Sequence, residues 1–529
     1  MNRCSRVLSS VALLAATLLP AVAARAAVSF TGGVDFSSQS AVTVGTFVPG
    51  TLTVSGGSSF FADRLDVGFE AQGAVTVSGV GSTLDVGDAR LGINAPADVL
   101  VEAGGQMLLR NQFTLGANGG PFSTANVTVT GRGSTIAPFQ QSSSQVTLSS
   151  GRLAAEDGAL IALPGSSLQI GGQGELAVAG GGTINIGDFQ NNGTIRGDGT
   201  IRRSFGDSRN EGRIEVSPSG VLTIDGPDFQ SITNVGDIVV HDGRLVLADA
   251  LINTRFTSFA FGQTDLRNGV LQFTNVPETS ASQAASFSNN GVLSASGGLN
   301  DVYGTVRNEP QGEVAVTNNS TLVFHDKVAN IGGTISVMPG SRAVFLGGLD
   351  MVNATLLANI AGTGDDTGFG IAEVVGAATL SGVVDIPLAV GVETELGDSF
   401  PLLYASGGVS GGLVLGDTPE LPAGQRWRLE IDANTVSVAV AAPTIAGDFN
   451  DDGVVDAADY TVWRDNLGAA SEGSIAFAGD GAGGVDVADY NLWRANLGQA
   501  APAAAATPEP LSLALLLPLV AMPGRRRAA

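Results

Sequence analysis

The sequence contains very few of the residues on which common catalytic and metal sites depend. Its one cysteine, Cys4, lies close to the amino terminus, so the rest of the chain can form no disulfide, no cysteine-ligated zinc site and no cysteine nucleophile. Lys327 is its one lysine, which leaves no lysine for a Walker-type phosphate loop. Histidine occurs at two positions, His241 and His325. These absences exclude several large classes of enzyme and metal site.

Charged and aromatic residues are also scarce. Charged residues make up 14% of the 529 residues, against roughly 25% in an ordinary soluble protein. The net charge of −24 repels phosphate and argues against a nucleic-acid partner. Hydrophobic residues reach 43%, which excludes a long disordered polyelectrolyte, and the 74 glycines have no three-residue period, which excludes a collagen. With 6% aromatic residues, the core must be built largely from small aliphatic side chains.

The amino terminus has the pattern of an export signal. Arg3 and Arg6 precede an apolar run over 7–22, and the triplet at 24–26 fits a small-x-small cleavage site. This pattern predicts a signal peptide over 1–26 and a secreted or cell-surface protein. A transmembrane anchor is the alternative, although the run is short for the about 20 residues that a span needs.

The carboxyl terminus contains three short segments in the order of a sorting signal. Pro-Glu-Pro at 508–510 is followed by a mostly apolar run over 511–522 and by three arginines at 525–527. This order resembles the PEP-CTERM sorting signal, which an exosortase recognises and removes during export. The resemblance implies a linker over 500–507, a sorting tail over 508–529, an exosortase-type partner and transient membrane contact through the tail. A plain C-terminal anchor is the alternative.

The long central part is a repeat of short strands. Residues 75–84 and 127–136 match at seven of ten positions. A second pattern, Asn-x-Gly-x-aliphatic, recurs at multiples of about twenty residues, a period typical of solenoids. It begins at Asn191, Asn210, Asn234 and Asn289, and more loosely at Asn330. Stacking such coils buries an aliphatic face that no single coil can bury.

We therefore predict a mainly β fold, with a parallel β-helix over 27–367 and a terminal β cap over 368–443 that protects its open edge. Asn and Gly are expected at sharp corners, where stacked Asn side chains can hydrogen-bond along the axis. The repeats resemble those of autotransporter passengers and PEP-CTERM-anchored proteins, which are taken to be parallel β-helices. A stack of β-sandwiches is the competing architecture.

Residues 444–499 contain the clearest indication of a binding site in the sequence. Segment 455–468 is repeated at 485–498, and each copy predicts a loop, a helix of about ten residues and a glycine stop. The first loop has oxygen-bearing side chains at its first, third, fifth, ninth and twelfth places and Gly453 at its sixth, which is the spacing of an EF-hand calcium loop. The predicted ligands are Asp448, Asn450, Asp452, Val454 through its carbonyl, Asp456 and Asp459. A weaker second loop retains Asp480, Asp486 and Asp489.

Paired loop–helix units closed by Asp resemble a type I dockerin, a small α-helical, EF-hand-like module. The resemblance implies Ca²⁺ as the cofactor and a cohesin-like module as a partner. A calcium-stabilised spacer between the solenoid and the tail is the alternative.

The sequence offers no catalytic constellation. Ser410 lies in a segment spelled like a nucleophile elbow, but both histidines precede it, whereas that fold places its histidine after the serine. Asp365 and Asp366 are neighbours in sequence, which is no evidence of a carboxylate pair across a cleft. We therefore expect a non-catalytic surface or matrix protein, with an exopolysaccharide as a further partner. The alternatives are a carbohydrate-active β-helix lyase or hydrolase and a cohesin-docked component of a surface assembly.

Overall fold

The computed structural model describes residues 27–500, and the positions left out within that range are 39, 119, 121, 141–144, 228–229, 258–259, 275–285, 363–367, 424, 443–444, 470–471, 477 and 481–483. The predicted signal peptide over 1–26 and sorting tail over 508–529 lie outside the described residues. No helix in the described part is long and apolar enough to cross a membrane.

The chain divides into two compact units. The first comprises Met1–Val390, Pro401–Asp417 and Ile431–Ser437, and the second comprises Gly391–Phe400, Thr418–Glu430 and Val438–Ala529.

The first unit is a parallel β-solenoid whose strands stack in three faces, named A, B and C in chain order. Face A contains Gly50–Ser55, Gly73–Ser78, Ala97–Glu102, Ala125–Thr130, Thr194–Gly197, Arg213–Val216, Asp237–His241, Gln263–Arg267, Val292–Ser296, Glu313–Thr317, Thr334–Val337 and Ala354–Ala358. Face B contains Gln106–Leu109, Thr135–Pro138, Leu160–Leu163, Thr183–Ile186, Thr200–Arg203, Val221–Asp225, Arg244–Leu247, Val270–Phe273, Leu299–Tyr303, Thr321–Phe324, Arg342–Phe345, Ile371–Val374 and Ser399–Ala405. Face C contains Ala41–Val44, Gln112–Leu115, Phe189–Asn191, Ser208–Asn210, Ser231–Asn234, Ala250–Asn253, Phe287–Asn289, Val306–Asn308, Val328–Ile331 and Leu349–Val352.

Some strands turn a corner and join two faces. Those that belong to B and then C are Ser59–Val67 and Thr83–Leu91, and those that belong to C and then A are Gln145–Glu156, Leu168–Ala179, Ala378–Asp385 and Val409–Leu415. The first turn is closed by antiparallel pairs, which join Ala27–Gly32 to Gly50–Ser55 and Val34–Ser38 to Ala41–Val44. The remaining strands are the hairpin Arg255–Thr257 and Ala260–Phe261, together with Arg426–Ile431 and Thr435–Ala441.

The core follows from the period-two alternation of each strand, because successive side chains point to opposite faces. Ile195, Ile214 and Ile238 are in register on face A and are each at most 1% exposed. Phe324 stacks on Phe345 inside the solenoid, with ring centroids 5.1 Å apart. Each such side chain contributes about 1.5–3 kcal/mol through burial, which one isolated turn could not achieve. The predicted mainly β fold and parallel solenoid are therefore confirmed, and the sandwich alternative is wrong.

The turns are less regular than the expected twenty residues. Partners on face A are 19 residues apart at Thr194 and Arg213 but 31 apart at Gly382 and Leu413. Val75 pairs with Val99 and Val99 with Val127, so the two near-identical blocks of the sequence lie two turns apart.

Parallel pairing also continues beyond residue 367. The strands Ile371–Val374, Ala378–Asp385 and Val409–Leu415 are paired in register with earlier turns, although they lie in the segment predicted as a cap. The aliphatic alternation persists there after the Asn-x-Gly corners have ended.

In the repeated blocks, a buried serine fixes the corner from face A to face B. Ser82 accepts a hydrogen bond at Oγ from the Gly57 backbone N–H at 3.0 Å, and Ser134 accepts one from the Gly104 N–H at the same distance. Both serines are fully buried. Because each bond joins one turn to the previous one, the Gly-x-Gly-Ser sequence sets the stacking of consecutive corners.

The corner from face C to face A contains a continuous ladder of buried Asn side chains. The Nδ2 of each donates to the Oδ1 of the next at 2.6–3.1 Å. The ladder consists of Asn191, Asn210, Asn234, Asn253, Asn289, Asn308 and Asn330, each at most 1% exposed. Beyond the two ends of the ladder, Ile170 is in register with Asn191 and Met351 is in register with Asn330. The predicted hydrogen bonding of stacked Asn side chains along the axis is therefore confirmed.

Two members of the ladder do not match the Asn-x-Gly pattern of the sequence. Asn253 and Asn308 are not followed by glycine two residues later. Gly262 and Gly312 supply that corner instead, because the Val292 N–H donates to Gly262 O and the Thr334 N–H donates to Gly312 O. A search for Asn-x-Gly could not find an Asn whose glycine is displaced by an insertion.

Replacing Gly236 by alanine is expected to lower the free energy of unfolding by about 1–3 kcal/mol, because overpacking forces the backbone apart. A Cβ at this corner would lie 2.1 Å from the Gly212 carbonyl oxygen of the preceding turn. Gly412→Ala is the control, since its Cβ would meet nothing within 4 Å. Urea denaturation measures both, and equal stability of the two variants would contradict the steric explanation.

The described residues of the second unit form two helices, α1 over Ala457–Asn466 and α2 over Val487–Asn496, with a 3₁₀ turn over Glu472–Ile475. Its small apolar core is made by Phe449, Ile475, Ala478 and Val485. Both helices belong to the duplicated segments that the sequence predicted to be helical.

Candidate metal centre

Each helix of the second unit begins at a capping box made by two aspartates. The Asp456 Oδ1 accepts from the Ala458 N–H at 2.7 Å, and the Asp459 Oδ2 accepts from the Asp456 N–H at 2.8 Å. Asp486 and Asp489 repeat this arrangement at the start of α2. The capping box satisfies backbone donors that a helix start leaves free. The last two oxygen ligands predicted in each loop are therefore also helix caps.

The first loop is anchored at both ends by buried carboxylates. Asp448 is 1% exposed and accepts from the Asp452 N–H at Oδ1, at 3.1 Å, and from the Gly453 N–H at Oδ2, at 2.9 Å. Asp459 is fully buried and accepts from the Asn450 N–H at 2.9 Å. Gly453 has a φ of 87°, which an L side chain rarely adopts, so glycine is needed at the sixth place.

The other predicted ligands of this loop lie at its surface. Asn450, Asp452, Val454 and Asp456 are exposed. The Asn450 Nδ2 donates to Asp452 Oδ2 at 2.8 Å, and the Val454 N–H donates to Asp452 Oδ1 at 3.0 Å. Among the described residues, no three His, Cys, Asp or Glu side chains gather in a ready-made metal site. The six ligands thus share one loop, with two buried at its ends and four at the surface.

The electrostatics of the loop centre on Asp448. Burial raises the pKa of its carboxyl, and the negative charges of Asp459 and Asp451 raise it further, while the N–H groups of Gly453 and Asp452 oppose the rise. Each carboxylate oxygen keeps a second lone pair for a cation after accepting one hydrogen bond. Carboxylate, amide and carbonyl oxygens are the hard donors that Ca²⁺ takes, so these residues fit that ion.

The second loop has a weaker donor set. Its first place is Ala478, which is buried in the apolar core. The Asp480 N–H donates to Asp489 Oδ1 at 2.9 Å, and Asp489 is fully buried, while Asp480 and Asp486 are exposed. The second loop therefore keeps the anchor made by the last carboxylate of the first loop, but it has an alanine in place of the buried carboxylate at the first position.

The two copies are joined by reciprocal contacts. The Trp463 Nε1 donates to the Asp486 carbonyl, and the Trp493 Nε1 donates to the Asp456 carbonyl, both at 2.7 Å. Each tryptophan thus binds the residue that caps the other helix. These crossed hydrogen bonds have no signal in the sequence.

The first unit has a depression of about 410 Å³ on face A that contains a His–Asp–Ser group. His241 Nε2 lies 2.8 Å from Asp265 Oδ2, and the Ser294 Oγ donates to Asp265 Oδ1 at 2.8 Å. The carboxylate lies between the other two groups, whereas a catalytic triad needs the imidazole between serine and carboxylate. This group therefore lacks the order needed to activate the serine.

Of the remaining residues considered for catalysis, the structure describes His325 and Ser410, which lie in different turns of the solenoid. His325 Nε2 lies 2.7 Å from Asp301 Oδ1, and its ring stacks on Tyr303 with centroids 3.8 Å apart. Ser410 is the second residue of the strand Val409–Leu415 rather than part of a strand-to-helix turn. Asp365 and Asp366 lie outside the described residues.

No protein-family model matches the chain, and no curated protein matches its sequence.

Proposed function

We propose that this chain is an exported, non-catalytic cell-surface or extracellular-matrix protein, in which a β-solenoid accompanies a calcium-binding, dockerin-like module. One observation carries the calcium assignment: Asp448 and Asp459, the first and last places of the loop, are both buried carboxylates. They lie close enough that the charge of Asp459 raises the pKa of Asp448.

A divalent cation would remove the unfavourable part of this arrangement. Withdrawing one carboxylate from water costs several kcal/mol unless an opposite charge compensates it. Among the described residues, the arginines that reach this loop, Arg426 and Arg428, contact Asp451 rather than the two buried carboxylates. Bound Ca²⁺ would supply two positive charges, with Asp448 and Asp459 holding it from the two ends of the loop. The surface oxygens of Asn450 and Asp452 and the Val454 carbonyl would complete the shell.

Calcium titration of the full chain by calorimetry is expected to show one site. Asp448→Ala should abolish the heat, because it removes the buried carboxylate at the first place. Asp465→Ala is the matched control, since that side chain is 60% exposed on α1 and should leave binding unchanged. At a free calcium concentration 100 times the Kd, the intact protein should gain about 2.7 kcal/mol of stability. Absence of heat in the intact protein would refute the calcium assignment.

Export and sorting rest on the two terminal patterns of the sequence. If both signals act as proposed, mass spectrometry of the exported protein should find a chain that begins at Ala27 and lacks 508–529. A chain that keeps both terminal segments would count against this part of the proposal.

The depression around His241 and Asp265 favours a second candidate, a carbohydrate-active β-helix enzyme. Its position on an outer face, lined by charged and polar groups, would suit a polysaccharide such as an exopolysaccharide. Release of reducing sugar by the purified protein, lost in Asp265→Asn, would establish that activity and displace the non-catalytic proposal. A cohesin-docked role would instead appear as capture of the intact protein by immobilised cohesin modules.

A further inference from the structure

Asp451 occupies the fourth place of the first loop, which the calcium spacing leaves without a role. Its φ of 56° places it in the left-handed region, where residues other than glycine are uncommon. Its carboxylate turns to two arginines: Arg426 Nη2 contacts Oδ1, and Arg428 Nη1 donates to Oδ2 at 3.1 Å. Asp451 lies between Asn450 and Asp452, the third and fifth places of the loop, so a contact that holds Asp451 restricts the backbone on which these two residues lie.

Each of the two arginines is held by a further hydrogen bond. The Arg426 Nε donates to the Ala442 carbonyl at 2.9 Å, and the Arg428 Nε donates to Glu430 Oε1 at 3.0 Å. All of these groups belong to the second unit. The side chain of Asp451 is 15% exposed, and those of Arg426 and Arg428 are 27% and 37% exposed. The contact is therefore half-buried and less weakened by solvent than a surface ion pair.

The charges of this group cancel. Arg426 and Arg428 are balanced by Asp451 and Glu430, so the group presents little net charge to the calcium loop. Its effect on the loop must then come mainly from geometry, because two hydrogen-bonding arginines hold both oxygens of one carboxylate.

We propose that Arg426 and Arg428 are positioning residues for calcium binding, which act by clamping Asp451. The inference rests on the calcium function proposed above. The clamp holds Asn450 and Asp452 near their liganded positions before the ion arrives, so less ordering is needed on binding. By reciprocity, calcium in the loop must strengthen the attachment of Asp451 to the strand that begins at Arg426.

The decisive variant is the double substitution Arg426→Gln/Arg428→Gln, titrated with calcium in the full chain. It makes the surroundings of the loop more negative by two charges, which would tighten calcium binding if charge alone mattered. The clamp predicts the opposite, a Kd at least about fivefold weaker, the low end of ordinary coupling between sites. Arg464→Gln is the matched control, because Arg464 lies on α1, pairs with the adjacent Asp465 and does not reach Asp451. Its Kd should stay the same or fall slightly.

A second measurement does not depend on the double variant folding. Asp451→Gly tolerates the left-handed φ but removes the carboxylate, so it should also weaken binding. Hydrogen exchange of the amides in 426–430 should slow on adding calcium to the intact protein and should not slow in Asp451→Gly. An unchanged or tighter Kd in the double variant would overturn the clamp while leaving the calcium function intact. Failure of the intact protein to bind calcium would overturn both.

Discussion

Asp249→Ala is expected to lower the free energy of unfolding by about 3–5 kcal/mol, the largest loss we foresee from a single substitution in the solenoid. Asp249 forms an ion pair with Arg203, and the two side chains are 1% and 0% exposed. The guanidinium also donates from Nη1 to the Ser231 carbonyl at 3.1 Å. Removing the carboxylate would leave a charged group enclosed without its counter-ion. Urea denaturation at pH 7 measures the loss.

A neighbouring pair provides the control for this prediction. Arg202 and Asp225 lie 3.8 Å apart with side chains 59% and 47% exposed. Asp225→Ala should therefore cost less than about 1 kcal/mol, because exposed pairs contribute little. The double change Arg203→Met/Asp249→Leu should be milder than Asp249→Ala alone, since no charge stays buried. If Asp249→Ala proved no worse than Asp225→Ala, the buried pair would not matter to stability.

Asn234→Leu is expected to lower the free energy of unfolding by about 3 kcal/mol. Asn234 accepts from Asn210 Nδ2 at 2.7 Å and donates to Asn253 Oδ1 at 2.9 Å. Leucine has a similar size but makes neither bond. One N–H of the Asn210 amide then loses its acceptor, and Asn253 Oδ1 keeps only the Thr264 hydroxyl, at 3.3 Å. Each buried polar group that loses a partner costs about 1–3 kcal/mol. Ile170 and Met351 occupy the same column beyond the ladder, so this corner accepts an apolar side chain sterically. The loss should therefore be polar in origin.

A comparison between the middle and the end of the ladder tests whether the loss of stability comes from hydrogen bonding. Asn330 is the last member, and its Nδ2 has no hydrogen-bond partner among the described residues. Asn330→Leu removes that unsatisfied donor as well as an acceptor, so it should cost clearly less than Asn234→Leu. Asn192→Ala, at an exposed position beside the ladder, should be close to neutral. Equal losses at Asn234 and Asn330 would show that packing, rather than hydrogen bonding, sets the stability of this corner.

The features that could be predicted are those whose evidence lies close together in the sequence. Asn191 and its glycine two residues later indicate a corner, and the duplicated segments at 455–468 and 485–498 indicate two helices, which the structure contains as α1 and α2. Stacking of the coils follows from these signals, because coils with repeated corners and alternating aliphatic residues bury their apolar faces only against neighbouring coils.

The features that could not be predicted depend on contacts between distant segments. Arg203 and Asp249 are 46 residues apart and meet because the intervening coils bring one corner above another. Arg426 reaches Asp451 across 25 residues of strand, loop and turn. Neither pair differs in sequence from ordinary surface charges. Spacing likewise identifies candidate ligands but cannot say that Asp448 is enclosed while Asp452 is at the surface.

The unequal length of the coils has a consequence for how such a chain can change. Neighbouring coils keep their strand partners whether 19 or 31 residues separate them, so added segments are accommodated outside the three faces. The hairpin Arg255–Thr257 and Ala260–Phe261 is one such addition, inserted between Asn253 and Gln263 without loss of pairing on either side. A loop can therefore be inserted in one turn of the solenoid without changing the strand pairing of the other turns. The outer surface can diversify in this way while the three stacked faces stay the same.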